Sequence, residues 1–134
     1  MNLWRRSIRA LTIEVRKDKP GVVTLALQGS LDSDTHESLD QEASGILSAP
    51  IRVLVLDMEG VTFMTSAGIG TIMKIKTSLA KKGVDLAMIN LQPQVQKVFE
   101  IIRVLPSLGV FRDKEELDEY LGRIQRKMTG QEDD

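Results

Sequence analysis

The chain contains no cysteine. That excludes disulfides, thiolate metal sites and a cysteine nucleophile, and it fits a reducing compartment. Aromatic residues are only 4% of the sequence, so the core is expected to be mostly aliphatic. Neither sign of charge dominates, since 18 basic and 19 acidic residues leave a net charge of −1. A nucleic-acid binder would show a clear basic excess, so no nucleic-acid partner is expected. No apolar run approaches the roughly 20 residues of a membrane span. None follows Arg5, Arg6 and Arg9 in the way a signal peptide requires. The expectation is a cytoplasmic protein with no membrane partner. Histidine occurs once, at His36. A metal site would have to combine it with carboxylates such as Asp32 or Glu37. A Ser-His-Asp triad would lack its usual Gly-x-Ser-x-Gly elbow. Neither a metal nor a cofactor is expected.

What is present suits one domain: 134 residues, 42% hydrophobic and 28% charged. Residues 1–10 form an N-terminal extension whose Leu3, Trp4 and Ile8 suit packing. The domain spans 11–128, and 129–134 is a polar tail. Leu11, Ile13 and Val15 alternate with polar neighbours, and so do Val23, Leu25 and Leu27. Joined by the turn Lys17-Asp18-Lys19-Pro20-Gly21, these runs predict a hairpin whose second strand ends at Gln28-Gly29-Ser30. Asp34 stands three residues before Glu37 as in a capping box, and Leu39, Ala43, Ile46 and Leu47 share one helical face. Ile51 and Val53 to Leu56 make a nearly continuous apolar run, the pattern of a strand buried on both faces. Asp57 to Ser66 then reads as an unusually apolar connection.

A second helix carries Ile69, Ile72, Met73, Leu79 and Ala80 on one side, with Lys81 and Lys82 in its last turn and Gly83 just beyond. Val84, Leu86 and Met88 predict another strand, and Val95, Val98, Phe99 and Ile102 a third helix after Pro93. Pro106 to Gly109 is a turn, and Val110-Phe111 is at most a short strand. Asp113 and Glu116 open a last helix through Leu117, Tyr120, Leu121 and Ile124. The order β-β-α-β-α-β-α-(β)-α predicts an α/β domain with a mixed sheet of four to five strands and about four helices.

Several motifs invite chemistry and fail on spacing. Asp32-Ser33-Asp34-Thr35-His36 invites comparison with aspartate-nucleophile phosphatases, which resemble a strand followed by Asp-x-Asp-x-Thr. Here Thr35 stands one place early, and helix capping with a turn at Asp32 explains the segment. Gly68-Ile69-Gly70 is no dinucleotide fingerprint, because Met73 occupies the third glycine position. These glycines suit close packing of a helix start on a strand. Lys74, Lys76, Lys81 and Lys82 read as a solvated basic side of the second helix. No catalytic residues, and no enzyme, are expected.

The informative segment is Phe63-Met64-Thr65-Ser66-Ala67-Gly68-Ile69-Gly70. Thr65 or Ser66 sits where a helix N-cap belongs, and a hydroxyl there contributes about 1 kcal/mol. Phe63, Met64, Ala67 and Ile69 surround that hydroxyl with apolar groups, as in a contact surface. A helix N-terminus tolerates added negative charge. A phosphate on Ser66 would put roughly −1.5 to −2 charges into an apolar patch and oppose docking.

These residues resemble the STAS domain, in particular the anti-sigma factor antagonists of bacteria. Leu56 to Gly70 is similar to the family's strand, Asp, spacer, aromatic and Asp-Ser-x-Gly-Leu/Ile-Gly signature, and Gly29-Ser30-Leu31-Asp32 resembles its earlier Gly-x-Leu-Asp turn. The element order agrees from about Leu11 to Ile124. The resemblance implies that the unphosphorylated protein binds a serine-kinase anti-sigma factor and so frees a sigma factor. The kinase would inactivate it by phosphorylating Ser66, and a protein phosphatase would restore it. Asp32, Phe63, Met64, Thr65, Ser66, Ala67, Gly68 and Ile69 would share the partner surface, on a monomer or weak dimer. The family places Asp before the serine, where this chain has Thr65, which adds Thr65 as an alternative acceptor. The alternative function is a non-catalytic STAS scaffold subunit of a larger signalling assembly.

Overall fold

A computed structural model describes residues 11–46, 50–102 and 109–129. The expected extension 1–10, Leu47 of the first helix and the tail beyond 129 lie outside the described residues. So does most of the turn expected from Pro106 to Gly109.

Two strands open the fold, β1 (Thr12–Lys19) and β2 (Val22–Leu31), paired antiparallel with Lys19 opposite Val22. The connection shrinks to Pro20-Gly21. Proline at the first central position and Gly21 at φ 76° suit a tight turn that needs a left-handed second residue. Then come α1 (His36–Ile46), β3 (Val53–Met64), α2 (Ser66–Ala80) and β4 (Asp85–Ile89), followed by α3 (Pro93–Ile102), β5 (Gly109–Phe111) and α4 (Lys114–Thr129). The five strands lie in the order β1-β2-β3-β4-β5, and every pair after the first is parallel. Helical crossovers of this kind are what parallel neighbours require.

Alternation along the central strands sorts the core into two faces. Leu25, Leu27, Leu54, Leu56 and Met58 point toward Leu39, Ile72, Leu79 and Phe99 of α1, α2 and α3. Val53, Val55, Ala87 and Ile89 point the other way, onto Leu117 of α4. The apolar run Val53–Leu56 is therefore buried on both sides, as its sequence predicts.

Three expectations are corrected. The apolar "connection" after Asp57 is strand: β3 continues to Met64, and β2 continues to Leu31 beside it. Beyond the last β4 pairing, at Asp57 with Ile89, β3 pairs only with β2 on one side. Its Glu59 and Thr62 carbonyls accept hydrogen bonds from the Gln92 and Gln94 side chains instead. The register slips between Ala26 and Gln28 and between Gly29 and Ser30. These irregularities break the plain two-residue alternation that would have marked a strand.

The reciprocal capping box lies two residues earlier than the one read from Asp34 and Glu37. The Asp32 N–H donates to Thr35 Oγ1 at 3.0 Å, and the Thr35 N–H donates back to Asp32 Oδ1 at 3.2 Å.

His36, the first residue of α1, shares a 2.8 Å hydrogen bond between its Nδ1 and Thr71 Oγ1 of α2. The four lysines do not form one face. Lys74 donates to Asp40 of α1 at 2.9 Å, whereas Lys76 lies on the side of α2 toward Tyr120 and Phe111.

At the start of α4 the Asp113 cap is as expected. Its Oδ1 accepts from the Glu116 N–H at 2.9 Å. That bond, helped by the Arg112 guanidinium, holds the carboxyl below the usual carboxylate range against a smaller opposing desolvation. A depressed folded pKa stabilises above the unfolded value and is lost as pH falls through the folded value. Asp113→Asn is therefore expected to lower the melting temperature at neutral pH. The gap from the parent should close as acid titrates the carboxyl. Melting curves at several pH values check this, and a constant gap contradicts it.

Candidate functional site

The site grows from one backbone contact. The Thr65 N–H donates to the Leu31 carbonyl at 3.1 Å. Leu31 immediately precedes the Asp32 turn, and Thr65 immediately precedes Ser66, so the turn and the start of α2 share one end of the sheet. Gly68 makes this approach tolerable. A Cβ built there would stand 2.6 Å from the Leu31 oxygen and 2.8 Å from its Cγ. Gly70 has open space around it, so only Gly68 serves the close packing expected of both glycines.

Strand alternation and helix periodicity then sort the expected contact residues. Phe63 is 55% exposed, while its neighbour Met64 is 4% exposed and belongs to the core. On α2, Ser66 faces solvent and Ala67 is half-buried. Gly68 is buried, and Ile69 at 3% exposure packs inward with Ile72. Asp32 is 8% exposed. Its Oδ1 accepts from the Asp34 and Thr35 N–H groups, at 2.9 and 3.2 Å. The Thr35 hydroxyl donates its one proton to the Ser30 carbonyl at 2.7 Å. The Asp32 carboxylate is thus used inside its own turn. The accessible part of the expected set is Phe63 and Ser66, with part of Thr65 and Ala67. Asp32, Met64, Gly68 and Ile69 fix the shape beneath.

Thr65 is the N-cap residue of α2, with φ −113° and ψ 174°. The expected hydroxyl cap is absent. Its side chain makes no capping hydrogen bond, and Oγ1 is buried without a partner among the described residues. No acidic residue stands in the first turn of α2.

A polar groove of about 340 Å³ runs between α1 and α2, lined by His36, Asp40, Gly70, Thr71 and Lys74 among others. Its ties, His36 to Thr71 and Lys74 to Asp40, were not read from the sequence. Both join residues more than thirty positions apart, which periodicity cannot pair. A cavity of about 410 Å³ lies at the opposite end of the sheet, lined by Lys19, Arg52 and Asp85 among others, where Lys19 pairs with Asp118 at 2.9 Å. It is remote from Ser66 and forms no part of this site. No helix among the described residues is long and apolar enough to cross a membrane.

A mixed sheet thus leads into a helix start that exposes Ser66, three residues after the exposed Phe63. The chain belongs to the STAS domain family, whose model matches residues 13–117. Over 95 residues it is 28% identical to BtrV of Bordetella bronchiseptica, named as a candidate anti-sigma factor antagonist, covering 71% of this chain and 82% of that protein. Over 103 residues it is 24% identical to the anti-sigma F factor antagonist of Lysinibacillus sphaericus, covering 76% and 88%. Among solved structures, unphosphorylated SpoIIAA, an anti-sigma factor antagonist, superposes with a TM-score of 0.63 at 19% identity, over 85% of this chain and 98% of that one. SpoIIAA of Bacillus in its phosphorylated form gives a TM-score of 0.63 at 20% identity, over 81% and 99%. At these identities the structural likeness establishes the shared fold.

Proposed function

We propose that this chain is an anti-sigma factor antagonist switched by phosphorylation of Ser66. Unmodified, it docks a serine-kinase anti-sigma factor through the surface around Phe63 and Ser66. The bound kinase then passes the γ-phosphoryl group of ATP to Ser66 Oγ. The new O–P bond replaces the β–γ bond, ADP leaves, and the hydroxyl proton goes to a base of the kinase. The added charge sits in the contact surface, where desolvating it opposes docking. A protein phosphatase reverses the step by hydrolysis.

One observation carries the reading. Ser66 is exposed at the start of α2, three residues after the exposed Phe63, whereas the hydroxyl oxygen of Thr65 is buried. A kinase needs the acceptor oxygen in its own active site, so Ser66 is the acceptor and Thr65 is not. The names of the relatives support the partner class, and a structural neighbour described in both unphosphorylated and phosphorylated forms supports this kind of control.

The test is intact mass with peptide mapping after incubation with source-cell lysate and ATP. A single added phosphate on Ser66, lost in Ser66→Ala, is expected. The unmodified protein should also retain a serine kinase in a pull-down. Phosphate on Thr65 would overturn the assignment of the acceptor. A retained partner with no phosphate on either residue would overturn the switch.

A further inference from the structure

The cavity of about 410 Å³ at the end of the sheet away from Ser66 has a definite charge arrangement. Val22, Val53 and Leu121 give it apolar walls, and four charged residues, Lys19, Arg52, Asp85 and Asp118, also line it. Lys19 and Asp118 satisfy each other at 2.9 Å and tie the hairpin to α4. Arg52 and Asp85 make no ion pair among the described residues, with each other or with any other group. Their backbones are nevertheless joined, since the Asp85 N–H donates to the Arg52 carbonyl at 2.9 Å. Arg52 is not a freely swinging surface side chain. A Cβ built on Gly21 would stand 3.0 Å from its Nε and 3.6 Å from its Cγ, so its stem lies along the Pro20-Gly21 turn. Asp85 opens β4 in register with Val53, two residues before Ala87, which places it on the α4 face of the sheet. Two opposite, unpaired charges thus border one apolar hollow.

We propose that this cavity binds a small zwitterion of the α-amino-acid class, with Arg52 receiving its carboxylate, Asp85 its ammonium group, and Val22, Val53 and Leu121 an aliphatic side chain. The volume falls within the roughly 300–1,000 Å³ of ordinary small-ligand sites, which are likewise apolar with a few polar groups that fix orientation. A guanidinium donates two parallel hydrogen bonds to a carboxylate, and an ammonium group donates to a carboxylate as a compact charge. The two charges of such a ligand are neighbours, as are Arg52 and Asp85 at the starts of β3 and β4. A ligand with only one charge would leave the other protein group desolvated without a partner, which is costly. The site therefore selects ligands that carry both. The proposal does not depend on the reading of Ser66, because none of these residues belongs to the surface around Phe63 and Ser66.

The test uses the full, unmodified chain with L-leucine, L-valine and L-methionine as probes. At about ten times a dissociation constant of about 1 mM, the bound amino acid should raise the melting temperature by about 5 °C. N-acetyl-L-leucine and L-leucinamide each keep one of the two charges and should bind about tenfold more weakly, or worse, than leucine. Arg52→Gln and Asp85→Asn break no ion pair among the described residues, so both variants should melt near the parent without ligand. Each should weaken leucine binding by about tenfold or more in titration calorimetry. In amide NMR spectra leucine should move the signals of Val22, Asp85 and Leu121 and leave Ser66 unmoved. No thermal shift with any of the three amino acids overturns the site. Equal binding of the singly charged analogues overturns recognition by two charges. Unchanged affinity in both variants, or amide shifts centred elsewhere, puts the binding outside this cavity and overturns the proposal as well.

Discussion

Ser66→Glu is expected to weaken binding of the serine-kinase anti-sigma factor by about 100-fold, while Ser66→Ala binds within a few-fold of the parent. The asymmetry follows from where Ser66 sits. Removing an exposed hydroxyl costs an interface little, since the surrounding area still excludes water. A carboxylate at the same place must lose its water when the partner docks, and burying an unpaired interfacial charge costs about 2–5 kcal/mol. About 2.7 kcal/mol of that is a hundredfold in affinity. The fold should tolerate the change, because the side chain points to solvent at a helix start that lacks any acidic residue. Circular dichroism therefore has to show both variants folded. Titration calorimetry or surface plasmon resonance then reads the difference. Equal affinities for Glu and Ala would remove the electrostatic switch, even if the protein still bound its partner.

The sequence made some of this legible and hid the rest for identifiable reasons. The run Val53–Leu56 announced a central strand, because burial on both faces leaves no polar position. The site segment was also legible, since Ser66 follows an apolar run and precedes a helical period. Its inner and outer members were not separable. Phe63 and Met64 are adjacent apolar residues, and only knowing that β3 continues through them assigns one to solvent and the other to the core. That continuation was masked by Gly60 and by the register slips against β2. Gly60 marks the place where the strands crowd: a Cβ there would stand 2.6 Å from the Leu27 oxygen. The capping box was misplaced because Asp32 and Asp34 compete for the same role, and composition does not say which residue leaves the strand first. Asp32 and Thr35, three residues apart, carried that signal in a segment otherwise compared with a phosphatase motif. The missing cap at Thr65 had no sequence signature at all. A threonine at an N-cap position reads as a cap, and only its buried, unbonded oxygen shows otherwise.

Two glycines in one helix turn should respond in opposite directions to the same substitution. Gly68→Ala is expected to destabilise the protein by about 2 kcal/mol and lower its melting temperature by roughly 8 °C. The new methyl group would approach Leu31 O to 2.6 Å and Leu31 Cγ to 2.8 Å. A side-chain tip could swing away, but the carbonyl belongs to the end of β2 and accepts the Thr65 N–H. Moving it strains the pairing of Leu31 with Met64 and shifts the Asp32 turn relative to Ser66. Against this stands the gain of about 1 kcal/mol that alanine has over glycine within a helix. Overpacking a tight site costs about 1–3 kcal/mol net, so the clash wins. Gly70→Ala keeps the same gain with nothing within 4 Å of the added carbon, and it should raise stability by about 0.5–1 kcal/mol. Urea or thermal unfolding of the two variants side by side decides the matter. If Gly68→Ala were as stable as Gly70→Ala, the approach of α2 to Leu31 would be loose. The geometry that holds the start of α2 against the end of β2 would then have to rest on something other than the missing side chain of Gly68.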